Sequence, residues 1–251
     1  LVSDPDNPSS IRNSISAARE NCRIVRNSVN TDVWETVNAT WLELQSVLSQ
    51  TAWHKDPGEF FEWVKTRSHL FRGVAIGTML KDEAFHFMRL GTFIERADST
   101  ARILDSKFDF NPADFADRVS SDAGSDQRVD YYYWASILRA VSAFDIYRRV
   151  YRDVVFSRRV AELLIQRSDM PRSLLACLNE VCVNLDAVGD RGNESHRLAG
   201  KLRADLQFLR IDAAFEQEIH GFLQRFLEQI YYLGVCISNE YLGHQRQRSA
   251  A

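Results

Sequence analysis

The sequence predicts an all-α fold, a helical bundle of about nine helices, and three observations carry that expectation. Five prolines and eleven glycines are spread through 251 residues, leaving long stretches free of both, as helices require. Apolar residues recur at spacings of three and four along most of the chain, the period of one helix face. No segment reads convincingly as a strand.

The first helix opens at Asp6-Asn7-Pro8-Ser9-Ser10, where Asn7 suits the cap and Pro8 the first turn. Ile11, Ile15, Ala18, Cys22 and Val25 then form one apolar stripe. A second helix is expected over 31–50, with Trp34, Val37, Trp41, Leu44 and Leu48 facing inward. Asp56-Pro57-Gly58 marks a turn before a third helix from Phe60 to Met79. The fourth, from Asp82 to Lys107, is the best defined, because Phe87, Leu90, Ile94, Ala97, Ala101 and Leu104 make a regular inward seam.

Residues 108–130 are rich in Asp, Ser and Ala and read as a connection longer than usual loops. Helices are expected again over 131–152, 158–166, 171–188, 195–209 and 213–242. Between the third and fourth of these, Gly189-Asp190-Arg191-Gly192-Asn193 makes a turn, and the tail from Gly243 reads as frayed. The expected organisation is a first helical half over 1–107, the connection over 108–130, and a second half over 131–251, packed as one globular unit.

An internal, incomplete two-fold repeat runs through this plan. Asp6-Asn7-Pro8-Ser9-Ser10-Ile11 resembles Asp169-Met170-Pro171-Arg172-Ser173-Leu174, and at the same offset Asn21 meets Asn184 and Val25 meets Val188. Further on, Phe61 through Ile76 resembles Phe222 through Ile237, with Gly73 matching Gly234. Counterparts of the segment from Asp82 to Leu164 are missing ahead of the first helix. The chain, which begins without a methionine, is therefore expected to be an incomplete design. Something else should cover an apolar face around Ile11, Ile15, Trp34 and Trp41.

Charge and cysteines exclude some classes. A formal net charge of −3, with basic and acidic residues alternating, leaves no nucleic-acid footprint. No apolar stretch has the length of a membrane span and no signal-peptide pattern opens the chain, so a cytoplasmic location is expected. Cys22, Cys177, Cys182 and Cys236 show no metal-type spacing and are expected to be buried thiols.

The sharpest string runs from Arg89 to Asp105. On a helix Gly91, Glu95, Asp98, Arg102 and Asp105 lie on one flank of the apolar seam, and Phe93, Arg96 and Thr100 on the other. Asp98 precedes Arg102 by four residues, the favourable orientation for a helical ion pair. Glu95 and Arg96 are boundary residues, expected to be held by other helices. They are candidates for binding a carboxylate, phosphate or amine, or for acid–base work. Leu90, Gly91, Glu95, Arg96, Ala97, Thr100, Ala101, Arg102, Leu104 and Asp105 match the pattern LGxxxERAxxTARxLD. With it the sequence resembles the bacterial alpha-E family, all-helical proteins named for their Glu-Arg motif. Asn7-Pro8-Ser9-Ser10-Ile11, Ala18-Arg19-Glu20-Asn21, Trp134 with Leu138-Arg139, and Pro171-Arg172-Ser173 resemble that family too. One departure is that family members usually carry a further Glu-Arg helix ahead of the Asn-Pro-Ser segment.

The resemblance implies a partner. Genes of the family lie beside, or fused to, circularly permuted ATP-grasp proteins and transglutaminase-like proteins, and ATP-grasp enzymes join carboxylates to amines. The expected function is a non-catalytic accessory or scaffold module of an ATP-grasp-type amide or peptide ligase system. The alternative is an enzyme acting on a peptide or amino-acid-derived amide, with Glu95 and Arg96 in its site. Glu95, Arg96, Arg102, Asp98, Glu83 and His86 are the candidate ligand- or partner-binding residues, and a homodimer is a further expectation.

Glu83 and His86 form an ExxH unit, the spacing that places two metal ligands on one helix face, but no second ExxH accompanies it. No metal and no cofactor are expected. Tyr131, Tyr132, Tyr133 and Trp134 read as core packing before a pocket lining. Arg148, Arg149, Arg152, Arg158 and Arg159 read as a solvated face before an anion site. HExxH, GxSxG, P-loop and GxGxxG motifs are all missing.

Overall fold

The computed structural model describes residues 2–49, 53, 56–106, 125–189 and 191–242. The described residues form ten α-helices and no strand. The chain divides into two compact units, Leu1–Phe85 and His86–Ala251, a boundary that falls inside one helix. Residues 108–124 of the expected connection lie outside the described residues, as do Asp190 and the tail from Gly243.

The first unit is built on α1 (Ile11–Ile24), α2 (Thr31–Ser49) and α3 (Pro57–Thr78). Each helix starts where a short polar side chain satisfies its free amides. Ser10 rather than Asn7 caps α1, its Oγ accepting from the Asn13 amide at 3.2 Å. Asn30 Oδ1 accepts from the Val33 amide at 3.0 Å at the head of α2. The Asn30 side chain also donates to Thr78 Oγ1 at 2.8 Å, tying that head to the end of α3. Asp56 accepts from the Gly58 and Glu59 amides, so α3 begins at Pro57, ahead of the expected Phe60.

Val33, Val37 and Leu44 of α2 and Phe60 and Ala75 of α3 are buried, while α1 buries no residue completely. Polar ties supplement that thin core. Arg19 Nε donates to Asn38 Oδ1 at 2.8 Å, and Arg67 Nε to Thr40 Oγ1 at 3.0 Å. Ile11, Ile15, Trp34 and Trp41 are each half-buried. The open apolar positions of this unit are Ile24, Val25, Leu42, Phe61, Leu70, Ile76 and Leu80.

A fourth helix, α4 (Glu83–Asp105), leads into the second unit. There follow α5 (Ser125–Ala140), α6 (Phe144–Tyr151), α7 (Ser157–Ala161, continued by a π-helical turn at Glu162–Gln166), α8 (Leu174–Val188), α9 (Glu194–Gln207) and α10 (Ala213–Ile237, continued by a π-helical turn at Ser238–Leu242). The inward seam of α4 holds: Leu90, Ala97, Ala101 and Leu104 are buried, joined by Phe93, while Phe87 and Ile94 are half-buried. They pack with Trp134, Leu138, Tyr147, Leu174, Leu178 and Leu223 in one core.

The helix count is ten rather than nine because the expected 131–152 helix is two. Ser142 takes a left-handed φ of 55° and breaks the run. Such a backbone is uncommon outside glycine and persists where packing imposes it. The buried Val141 and Ala143 flank it, and the Ala143 amide donates to the Leu138 carbonyl at 2.7 Å. The hydroxyl of the buried Tyr147 donates to the Val154 carbonyl at 2.8 Å and accepts from the Phe156 amide at 3.1 Å, anchoring α6 to the segment that follows.

The repeat is visible in local geometry. Ser173 caps α8 as Ser10 caps α1, accepting from the Ala176 amide at 3.0 Å. The two serines share backbone angles, φ −65° and ψ 151° against φ −68° and ψ 153°, and both are completely buried. Asn193 heads α9 at the place Asn30 holds in α2, and it too reaches the end of the third helix of its set, Tyr241, at 3.4 Å. One difference separates the serines: Ser173 Oγ also donates to the Arg167 carbonyl at 2.6 Å. Ser10→Ala is expected to cost about 1 kcal/mol, as cap losses do. Ser173→Ala should cost more, about 1–3 kcal/mol, because it also removes the second hydrogen bond, to the Arg167 carbonyl. Urea unfolding of both variants checks the order, and an equal or reversed cost would contradict it.

Candidate functional site

Helix α4 carries the Glu-Arg string, and the register of its apolar seam decides where each polar side chain goes. Arg96 extends along Phe93, its guanidinium 4.9 Å from the ring centre, and donates to the Pro171 carbonyl at 3.3 Å. Arg89 covers the same ring at 4.4 Å and pairs with Glu180 of α8 at 2.8 Å. Phe93 is thus flanked by two guanidiniums, an arrangement that orients both. One turn beyond Arg96, the buried Thr100 hydroxyl donates to the Arg172 carbonyl at 3.0 Å. Two consecutive carbonyls at the entry of α8 are therefore held by two side chains of the string.

The remaining polar positions follow the same logic. The Asn184 side-chain amide donates to the Glu180 carbonyl at 2.7 Å, and its Oδ1 lies 2.8 Å from His86 Nδ1. At the far end of α4 the buried Asp105 accepts from His220 Nδ1 at 2.8 Å and from Gln224, both on α10. Asp98 and Arg102 form the expected pair along the helix, at 2.7 and 3.0 Å. Hydrogen bonding to Asp98 and its charge raise the Arg102 guanidinium pKa.

Glu95 corrects the expectation of a partner on another helix. It is exposed, and Ser99 of its own helix approaches at 3.5 Å. A helix turns by about 100° per residue, so the neighbour of an engaged arginine faces away from the contact. Glu83 is exposed in the first turn of α4. Among the described residues no group of three His, Cys, Asp or Glu side chains is placed to hold a metal ion.

Other singled-out residues separate as well. Trp134 is buried, Tyr131 and Tyr133 are half-buried, and Tyr132 is exposed. Arg148, Arg149 and Arg152 are exposed, whereas Arg158 donates to the Ile211 carbonyl at 2.9 Å and Arg159 pairs with Asp153. All four cysteines are free thiols, Cys177 and Cys236 buried, Cys22 and Cys182 half-buried. Among the described residues no helix is long and apolar enough to cross a membrane.

The helical architecture and the engaged arginine of this string agree with one family description. A predicted alpha-helical domain with a conserved ER motif, Alpha-E, matches residues 1–242. The chain belongs to the Alpha-E family. No curated protein and no solved structure matches it. In this Alpha-E chain the arginine of the motif joins α4 to the entry of α8, and the glutamate stands open to solvent.

Sequence reading of this Alpha-E chain passed over two features. Ser195, completely buried at the head of α9, donates from both its amide and its hydroxyl to the Glu240 carboxylate. A cavity between α8 and α9 is lined by Cys182, Asp186, Arg191, His196, Gly200 and Arg203. Its residues are scattered over two helices and a turn, with no linear motif to mark them.

The motif's unequal geometry gives an unequal expectation. Thr100→Val should destabilise by about 1–3 kcal/mol, since it strands a part-buried carbonyl at the α8 entry, and Arg96→Ala by about 1 kcal/mol, since its contact with the Pro171 carbonyl is exposed. Glu95→Ala should stay within about 0.5 kcal/mol, as exposed substitutions do. Chemical denaturation of the three variants checks this, and a costly Glu95→Ala would contradict it. Near the same clasp, burial pushes the Cys177 thiol from 9.0 up to about 12, against the opposing charges of Arg96 and Arg172. A group raised in the folded state contributes fully below its unfolded value and loses that contribution as the pH climbs toward its folded value. Stability should therefore fall between about pH 9 and about 12. Melting curves of Cys177→Ala should show a shallower fall than the parent, and parallel curves would contradict it.

Proposed function

We propose that this chain is a non-catalytic helical accessory module, which holds an ATP-grasp-type amide or peptide ligase or that ligase's peptide substrate. One observation carries the reading: Arg96, Thr100 and Asp105 of the Glu-Arg helix are engaged in joining helices rather than converging on a cavity. Arg96 and Thr100 hold the α8 entry, and Asp105 holds His220 and Gln224. An enzyme of this site would need its base and its orienting cation directed at a common substrate position. Glu95 and Arg96 instead take different surroundings, one exposed and one at a carbonyl.

The ligase as partner follows from what the alpha-E resemblance implies about neighbouring genes. The open apolar side chains of the first unit, among them Phe61, Ile76 and Leu80, suit a protein partner. The place of action is the cytoplasm, where ATP is available to the ligase.

Co-expression with a circularly permuted ATP-grasp protein of the kind whose genes accompany the family tests the proposal. The two are expected to co-elute in fixed stoichiometry, and the chain alone should convert no peptide or amino-acid amide. Product formed by the isolated chain would overturn the proposal. Loss of turnover on Glu95→Gln, with the complex intact, would favour the enzyme instead.

A further inference from the structure

Independently of any ligase partner, we propose that the cavity between α8 and α9 binds a small molecule of amino-acid size through its carboxylate, held by Arg203 and Arg191. The cavity measures about 230 Å³, below the roughly 300 Å³ at which drug-sized sites begin. Helix α8 lines it with Cys182, Leu185 and Asp186, and α9 with His196, Ala199, Gly200 and Arg203. Both sets are spaced by three and four residues, so each is one helix face. Ala199 and Gly200 keep the α9 wall low, and nothing stands within 4 Å of a Cβ placed on Gly200.

The charges of the lining favour an anion. Arg191 spends its charge on Asp186, the nearest nitrogen and oxygen lying 3.3 Å apart. Among the described residues Arg203 has no carboxylate within ion-pair distance. One guanidinium is left over, and a carboxylate matches it in charge and in fork geometry. Arg191 is 82% exposed, so its pair with Asp186 is the kind that exchanges readily.

A buried imidazole supplies the second observation. The His196 side chain is 7% exposed, and neither ring nitrogen has a hydrogen-bond partner. Asp186 Oδ1 stands 3.8 Å from His196 Nε2, beyond hydrogen-bond reach. Buried polar groups are ordinarily paired, and the exceptions mark strain or an absent ligand. An entering carboxylate that takes Arg191 displaces Asp186 and repels it. Asp186 then turns onto His196 Nε2 and accepts its proton in a hydrogen bond. The ligand binds the two arginines, and the imidazole reports its arrival.

Titrating the full chain with sodium acetate, L-alanine and L-glutamate, while following the His196 ring resonances by NMR, tests the site. Sodium chloride and sodium phosphate at matched ionic strength serve as controls. At least one carboxylate is expected to shift the His196 resonances saturably. Arg203→Ala should weaken that response about tenfold, the value of one charge-assisted contact. Gly200→Leu has a clear path for its Cβ and gains helix propensity, so it should fold and abolish the response. Arg210→Ala, outside the cavity, should leave it unchanged. No saturable shift with any carboxylate would overturn the site, and so would an unaltered response in folded Gly200→Leu. Equal shifts with chloride or phosphate would overturn the carboxylate assignment.

Discussion

At the entry of α8 the carbonyls of Pro171 and Arg172 receive the Arg96 guanidinium and the Thr100 hydroxyl. Carbonyl oxygens in a packed bend need donors, because leaving them dry costs much of what the packing contributes. Several neighbouring contacts depend on that clasp. It lies directly before the Ser173 cap, which starts α8 in the register that brings Glu180 to Arg89 and Asn184 to His86. Helix α4 and helix α8 therefore meet at points spread along both of them. Phe93, between Arg89 and Arg96, buries its ring while keeping both guanidiniums oriented.

Much of this was legible in the residues. A seam of three-and-four spacing placed α4 correctly, since burial of an apolar stripe dominates helix orientation. The capped starts of α1 and α8 were visible as short polar residues around a proline, although the cap proved to be Ser10 rather than Asn7. Less visible was the interruption at Ser142, where no glycine or proline marks the chain, although the flanking Val141 and Ala143 are buried. Tyr147 looks like any apolar-face aromatic until its hydroxyl is seen to bridge Val154 and Phe156. Glu95 and Arg96 show the limit of boundary reasoning: adjacent in sequence, they differ by one helical step, and that step separates solvent from a carbonyl.

The same contrast bears on what a conserved-looking charge means. Arg96, Asp98 and Arg102 belong to a string that invites a ligand-binding reading, and each has a structural partner within reach. His196, by contrast, belongs to no string and lacks what buried imidazoles usually have. Desolvated polar groups are informative where their hydrogen bonds are missing, more than where charges cluster in sequence.

The matched capping serines and head asparagines have a further consequence. Two three-helix sets that share a serine cap geometry, and that tie the head of the second helix to the end of the third, meet one local demand twice in one chain. In the second set α4 also lies over the entry bend, within the same compact unit. Ser10 and Ser173 part where Ser173 adds its bond to Arg167. Each set is therefore an internal reference against which the other's differences can be measured.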